Sequence, residues 1–141
     1  MSHSFHKINS TIHKSIFEFV TFLKWFAFMN SENTIIKIKV GREIVFLNTN
    51  EILYIEANNI YCKIHLIMNK IIVCTESLKE IESQLKTPNF YKTHRSFIIN
   101  TKFIERFIRS KLSVYIKSID EPIQISRNKR DEFEKKFVYN Q

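Results

Sequence analysis

Hydrophobic and polar positions divide this chain into two regimes. Ahead of a polar break at Asn30-Ser31-Glu32-Asn33-Thr34 the apolar residues recur at helical spacing, and beyond it they alternate with a period of two. Between Ile12 and Met29, Lys14, Glu18 and Thr21 share one narrow side, with Lys24 at its edge. Ile12, Ile16, Phe19, Val20, Leu23 and Phe26 fill much of the rest. The pattern predicts a helix with too much apolar surface to stay solvated alone. It must pack on the rest of the chain, on a second copy of itself, or on a membrane surface.

After the break, Ile36-Lys37-Ile38-Lys39-Val40 alternates strictly and predicts a half-buried strand. Gly41-Arg42 turns the chain into a partner strand, Glu43 to Leu47. Further β-branched runs predict strands at Ile52 to Ala57, Tyr61 to Ile67, Ile71 to Cys74, Phe97 to Ile99, Ile104 to Ile108, Leu112 to Lys117 and Ile123 to Ile125. With a single Gly, the turns are expected to lean on Asn48, Asn50, Asn58, Asn59 and Asn69, because Asn tolerates the left-handed region. Ser77-Leu78-Lys79-Glu80 has the form of a capping box opening a short helix, which Thr87-Pro88 ends. A second short helix is expected from Asn128 to about Val138. The organisation read from the sequence is therefore a helix and linker at 1–34, then a mostly β domain with small helical inserts at 35–141.

Charge alters this picture more than composition does. The chain carries a formal +8, and from Lys92 to Gln141 twelve Lys and Arg face six Asp and Glu, so most of the excess lies there. An anionic partner fits that balance. Two cysteines, Cys62 and Cys74, are too few for a disulfide scaffold. The apolar N-terminal stretch lacks a small-residue cleavage site, and no stretch is long and charge-free enough to span a bilayer. A cytoplasmic protein with reduced thiols is expected.

Catalytic constellations are poor. Cys62 and His65 stand three apart on one predicted strand and so point to opposite faces, which defeats a nucleophile pair. His3, His6 and His13 have no Cys or carboxylate to complete a metal set, and one Gly cannot build a phosphate-cradling loop. Asp120-Glu121 beside Pro122 reads as a turn. Neither an enzyme nor a cofactor is expected. Cys62 and Cys74 flank a predicted hairpin turn and would face each other only across a three-residue loop. Nucleic-acid binding is left. Lys92, His94 and Arg95 fall within four residues, as do Arg127, Lys129 and Arg130, each cluster at the edge of a β-forming run. An Arg projecting from such an edge offers a rigid fork to a phosphate or a guanine edge.

The order of these elements resembles the LytTR family of bacterial DNA-binding domains. The resemblance rests on Ile52-Leu53-Tyr54-Ile55-Glu56-Ala57 with Tyr61 and Ile64, and on Glu76 to Glu82 with Leu85. It continues through Phe90-Tyr91-Lys92-Thr93-His94-Arg95-Ser96-Phe97-Ile98-Ile99-Asn100, the most specific run, to Pro122-Ile123-Gln124-Ile125-Ser126-Arg127. The resemblance implies a mostly antiparallel β domain that enters successive major grooves of duplex DNA with loop side chains and without a recognition helix. By position it makes Arg95 and Arg127 the groove-entering residues, with a third contact from the Asn58-Asn59-Ile60-Tyr61 loop. His94 and Lys92 become phosphate anchors, and Ser126 and Arg130 complete the set. Many family members carry a phospho-receiver domain; here only a short helical segment precedes the β domain, so a stand-alone regulator is expected. A homodimer on two half-sites is expected too, joined by the N-terminal helix. Membrane-surface contact through that helix, a protein-interaction module, and nonspecific RNA or single-strand binding through Phe90 and Tyr91 are the alternatives.

Overall fold

A computed structural model describes the backbone of residues 2–30 and 35–139 and the side chains of 10–24 and 35–139. The chain forms two compact units, Met1–Asn33 and Thr34–Gln141. The first is one helix, α1 (Ser2–Asn30), longer at its start than the apolar periodicity indicates. Ile12, Ile16, Phe17, Phe19, Val20, Phe22 and Leu23 along it are exposed. Among the described residues no helix is long and apolar enough to cross a membrane.

The second unit is built on a five-stranded antiparallel sheet, in order β5-β4-β3-β7-β6. Its strands are β3 (Ile52–Ala57), β4 (Cys62–Leu66), β5 (Lys70–Cys74), β6 (Phe90–His94) and β7 (Phe97–Asn100). The central strand β3 is buried from Ile52 to Ile55, as a strand covered on both faces must be. One face presents Ile55, Cys62, Ile64, Cys74 and Ile98 to α2 (Leu78–Gln84) and to the hairpin of β1 (Ile35–Val40) and β2 (Glu43–Asn48). The other presents Tyr54, Tyr91 and Ile99 to a three-stranded antiparallel sheet. That sheet holds β8 (Ile104–Ile108), β9 (Ser113–Ile116) and β10 (Ile123–Gln124), and Phe133 of α3 (Arg130–Phe133) closes the same core. A bulge between Ile52 and Tyr54 explains why Leu53 and Tyr54, adjacent in sequence, join the same core.

The expected antiparallel β architecture with short helices and one N-terminal helix is thus the observed one, with local differences. Phe90–His94, not expected as a strand, is β6, because Tyr91 and Thr93 alternate inward and Thr93 is a buried polar residue that hides the pattern. The run expected from Tyr61 to Ile67 shortens to Cys62–Leu66, since Tyr61 belongs to the preceding loop and Ile67 to a turn. The C-terminal helix is a 3-10 turn (Arg127–Lys129), one α turn and a π-helical turn (Glu134–Val138).

Asparagine works differently from expectation. Of the five asparagines expected in turns only Asn69 takes a positive φ, and among the described residues Met68, Leu112, Ser118 and Gly41 do so as well. Asn48 and Asn58 instead accept backbone N–H groups on their side-chain oxygens: Asn48 from Asn50 at 2.9 Å, Asn58 from Ile60 and Tyr61 at 3.0 and 2.9 Å. The capping box does form. Ser77 Oγ accepts from Glu80 N at 3.2 Å while the Glu80 carboxylate accepts from Ser77 N at 2.8 Å. Replacing Ser77 with Ala is expected to cost about 1 kcal/mol, read as a shift of the urea midpoint at unchanged m-value.

The β4–β5 turn has three residues, Ile67–Asn69, so Cys62 and Cys74 stand directly opposite in register, both buried and free. Burial pushes the Cys62 thiol up to about 11 and raises Cys74 as well. Burial also lifts the Tyr54 phenol to about 12 and raises Tyr91, whose hydroxyl donates to Glu132 at 2.9 Å. A raised folded-state value means that the native protein holds the proton more firmly than the unfolded chain does. This stability is complete below the ordinary thiol range near pH 8.5 and is lost as pH rises through the folded values. The melting temperature should therefore be level from neutrality to that point and fall steadily toward pH 11. A level profile through pH 11 by calorimetry would show that these groups are not buried as described.

Candidate nucleic-acid interface

The antiparallel register puts several connections at one end of the central sheet. Glu56 on β3 pairs with Phe97 on β7, so the β3–β4 loop and the β6–β7 turn leave from the same end. Backbone bonds then link them: Ala57 N donates to the Ser96 carbonyl at 2.8 Å. Ser126 N donates to the Thr93 carbonyl at 2.8 Å, which lays the chain before the Arg127–Lys129 turn along β6. Ile125 N donates to the Leu112 carbonyl, also at 2.8 Å, and brings in the β8–β9 turn Arg109–Lys111. Four connections far apart in sequence are thereby joined main chain to main chain. Buried strands support them, so side chains at their tips are aimed by a rigid frame.

Arg95 is exposed in the β6–β7 turn and Arg127 is exposed in the 3-10 turn. Among the described residues neither forms a salt bridge, whereas Arg109 and Arg130 both reach Glu134 Oε1, at 3.3 and 3.5 Å. Two guanidinium groups are thus committed within the protein and two are available to an anion. A fork held at a turn tip can donate to two oxygens of one phosphate, or to O6 and N7 of one guanine.

The remaining sequence-derived candidates divide. His94 Nδ1 accepts from Ser96 N at 3.2 Å, and its ring lies 5.9 Å from that of Phe97. The imidazole therefore shapes the turn that presents Arg95. Lys92 is half-buried on β6, and its carbonyl accepts from Lys129 Nζ. Lys129 Nζ also lies 5.5 Å from the Tyr91 ring centre, which makes it a brace between the Arg127 turn and β6. Asn58 spends its side-chain oxygen inside its own loop, Asn59 is exposed at the tip, and Tyr61 is half-buried with Lys63 Nζ 5.9 Å from its ring. Ser126 precedes the 3-10 turn without a side-chain cap. Asn100 is a structural residue: its amide donates to the Ile52 carbonyl at 2.9 Å and its oxygen accepts from Lys102 N at 3.1 Å. Arg109 and exposed Lys111, on the β8–β9 turn, were not among the expected residues. The run Arg109-Ser110-Lys111 between two apolar stretches was the available signal, a basic hairpin tip.

Cys62 and His65 point to opposite faces of β4, as their spacing requires. His65 stacks on Tyr54 at 4.1 Å between ring centres, with Nε2 3.5 Å from a Glu56 oxygen. Among the described residues no group of three or more His, Cys, Asp or Glu could hold a metal ion. His3 and His6 lie outside the described side chains.

Known proteins resemble this chain in sequence and in fold. The family model described as the LytTr DNA-binding domain matches residues 42–137. An uncharacterized response regulatory protein of Vibrio cholerae is 31% identical over 94 residues, 62% of this chain and 36% of that protein. The sensory transduction protein LytT of Oceanobacillus iheyensis is 29% identical over 94 residues, 64% of this chain and 38% of that protein. The chain thus spans little more than a third of the length of these relatives. A solved structure, the LytTr DNA-binding domain of a putative methyl-accepting/DNA response regulator from Bacillus cereus, shares the fold. It has a TM-score of 0.58 and 22% identity over 72% of this chain and 94% of its own. The family match runs through every strand from β2 to β10, including all those that carry the four linked connections, and the chain belongs to the LytTr DNA-binding domain family.

Proposed function

We propose that this chain is a transcriptional regulator that reads duplex DNA sequence-specifically, using loop side chains in successive major grooves. The observation that carries the reading is the pair Arg95 and Arg127, exposed and without salt bridges among the described residues, on turns tied to one frame. In this reading the two arginines meet base edges, and the Asn58–Tyr61 loop makes a third, weaker contact. Lys92 and Lys111 lie along phosphates, His94 positions the Arg95 turn, Ser126 meets a phosphate where the Arg127 turn begins, and Arg130, engaged by Glu134, braces that turn rather than reaching DNA. The unit at 35–141 is the DNA-binding domain and 1–34 its appendage, working in a bacterial cytoplasm.

One module of this size buries limited surface on DNA, so two copies on two half-sites are proposed. The exposed apolar side chains of α1 support that helix as the joining element. The same helix also supports membrane-surface contact, because Phe17, Phe19 and Phe22 are exposed on a helix carrying Lys14 and Lys24. Liposome flotation of the full chain and of a chain lacking residues 1–30 separates the two. Loss of dimer without any flotation supports joining; flotation lost on deletion supports the membrane.

Selection from a random duplex library at two salt concentrations tests the main reading. A recurring bipartite motif is expected, with affinity falling steeply with salt as phosphate contacts are screened. Enrichment of no motif, or stronger binding to single strands than to duplex, would overturn it.

A further inference from the structure

The β1–β2 hairpin has two faces of different kinds. Ile36, Ile38 and Leu47 point into the core, at 1%, 0% and 5% exposure. The outer face should then be polar, by the usual alternation of a half-buried ribbon. It is not. Ile35, Ile44 and Phe46 stand on it at 52%, 57% and 64% exposure. Register places Lys37 opposite Phe46 and Lys39 opposite Ile44, so five residues form one contiguous patch. Lys37 Nζ lies 5.7 Å from the Phe46 ring centre.

This patch is held ready. Gln84 clamps both peptide groups of Lys37, accepting from its N–H and donating to its carbonyl at 3.0 Å each. Glu76 accepts from Lys39 N at 3.2 Å. These side chains occupy the outer edge of β1 and fix the ribbon against the domain. Among the described residues neither Lys37 nor Lys39 forms a salt bridge; Lys39 attracts the Glu80 carboxylate on α2 without reaching that distance.

Charge and shape narrow the occupant. A second copy of the same patch would set Lys against Lys. Duplex DNA would leave Phe46 and Ile44 without an apolar partner. Lys37 and Lys39, two residues apart on a strand, are separated by about 6.6 Å. Carboxylates at i and i+4 on a helix stand about 5–6 Å apart and share one side with apolar residues at i+3 and i+7. Residues 1–30 of this chain hold a single carboxylate, Glu18, and supply no such pair.

We propose that the outer face of the β1–β2 hairpin docks an acidic amphipathic helix of another protein, its carboxylates on Lys37 and Lys39 and its apolar side chains on Ile35, Ile44 and Phe46. None of the five patch residues lies in the four linked connections, although Glu76, which holds Lys39 N, also lines a pocket with the Asn58–Tyr61 loop.

The probe is a synthetic helical peptide with Glu at i and i+4 and Leu on the same side, titrated into the isotope-labelled full chain by NMR. Amide shifts confined to 35–39 and 43–48 are expected. Charge reversal in a Lys37→Glu, Lys39→Glu double variant should weaken binding at least tenfold, and so should Phe46→Ser. All three changes are at exposed positions, and unchanged melting temperatures check that the fold persists. DNA affinity of Phe46→Ser, which alters no charge, should equal that of the parent, which keeps failure here distinct from failure of the DNA-binding reading.

Four results would each overturn the proposal. The first is shifts centred on Arg95 and Arg127, which would make the peptide a mere phosphate mimic. The second is equal binding by a peptide of the same composition with Glu and Leu on opposite sides. The third is binding to anionic phospholipid vesicles that Phe46→Ser abolishes in place of peptide binding. The fourth is reduced DNA affinity in Phe46→Ser.

Discussion

Arg127→Ala should lower affinity for the preferred duplex by about 1–3 kcal/mol, roughly 5- to 150-fold, and relax preference at the base that it meets. Arg95→Ala should do the same at a different base position. The basis is geometric: both side chains project from turns whose backbones are bonded to the frame, Ser126 N to Thr93 O and Ala57 N to Ser96 O, each at 2.8 Å. Arg109→Ala provides the contrast, because its guanidinium already meets Glu134 at 3.3 Å. Its loss should change sequence preference little. Lys92→Ala should weaken all duplexes alike and reduce the salt slope by about one. The measurement is competition against duplexes with single base-pair changes at fixed salt. If Arg127→Ala kept every preference of the parent, its role as a base reader would be wrong.

Phe133→Ala should destabilise the protein by about 3–5 kcal/mol, the cost of removing a large ring from a packed core. Phe133 is 1% exposed, and its ring centre lies 5.7, 5.1 and 5.0 Å from those of Tyr91, Phe107 and Phe137. It joins α3 to both sheets, and α3 begins directly after the Arg127–Lys129 turn. Loss of the ring should therefore loosen the turn as well as the core. Specific DNA affinity should fall more steeply with temperature in this variant than in the parent. Phe137→Ala, at a half-buried position, should cost less in chemical denaturation. A loss below 1 kcal/mol for Phe133→Ala would mean that the C-terminal segment is not part of the cooperative unit.

Much of the fold was legible because its signals are local. Strict alternation at Ile36 to Val40 and the single Gly at position 41, with φ 61°, specify the β1–β2 hairpin within a dozen residues. Ser77 and Glu80 specify the start of α2 through bonds that span three residues. Strand β6 was missed because a buried Thr93 reads as polar until the segment that covers it is known. Left-handed turns at Met68, Leu112 and Ser118 were missed for a related reason: tertiary packing imposes a backbone that these residues do not prefer.

The candidate interface divides along the same line. Sequence alone determined that Arg95 and Arg127 stand at the ends of β-forming runs, and the order of motifs determined the family. Only tertiary structure decided which cations are available. Arg130 and Arg109 look as free as Arg127 in sequence, yet Glu134 engages both, one from 4 residues away and one from across the chain. His94, equally basic in appearance, accepts a backbone N–H and shapes a turn. The physical reason is that periodicity encodes which face a residue shows, a property of neighbours in sequence. Availability of a charge depends on what lies opposite it. That depends on strand register and on the bonds joining residues 57 to 96, 93 to 126 and 112 to 125, which form only when the whole domain closes.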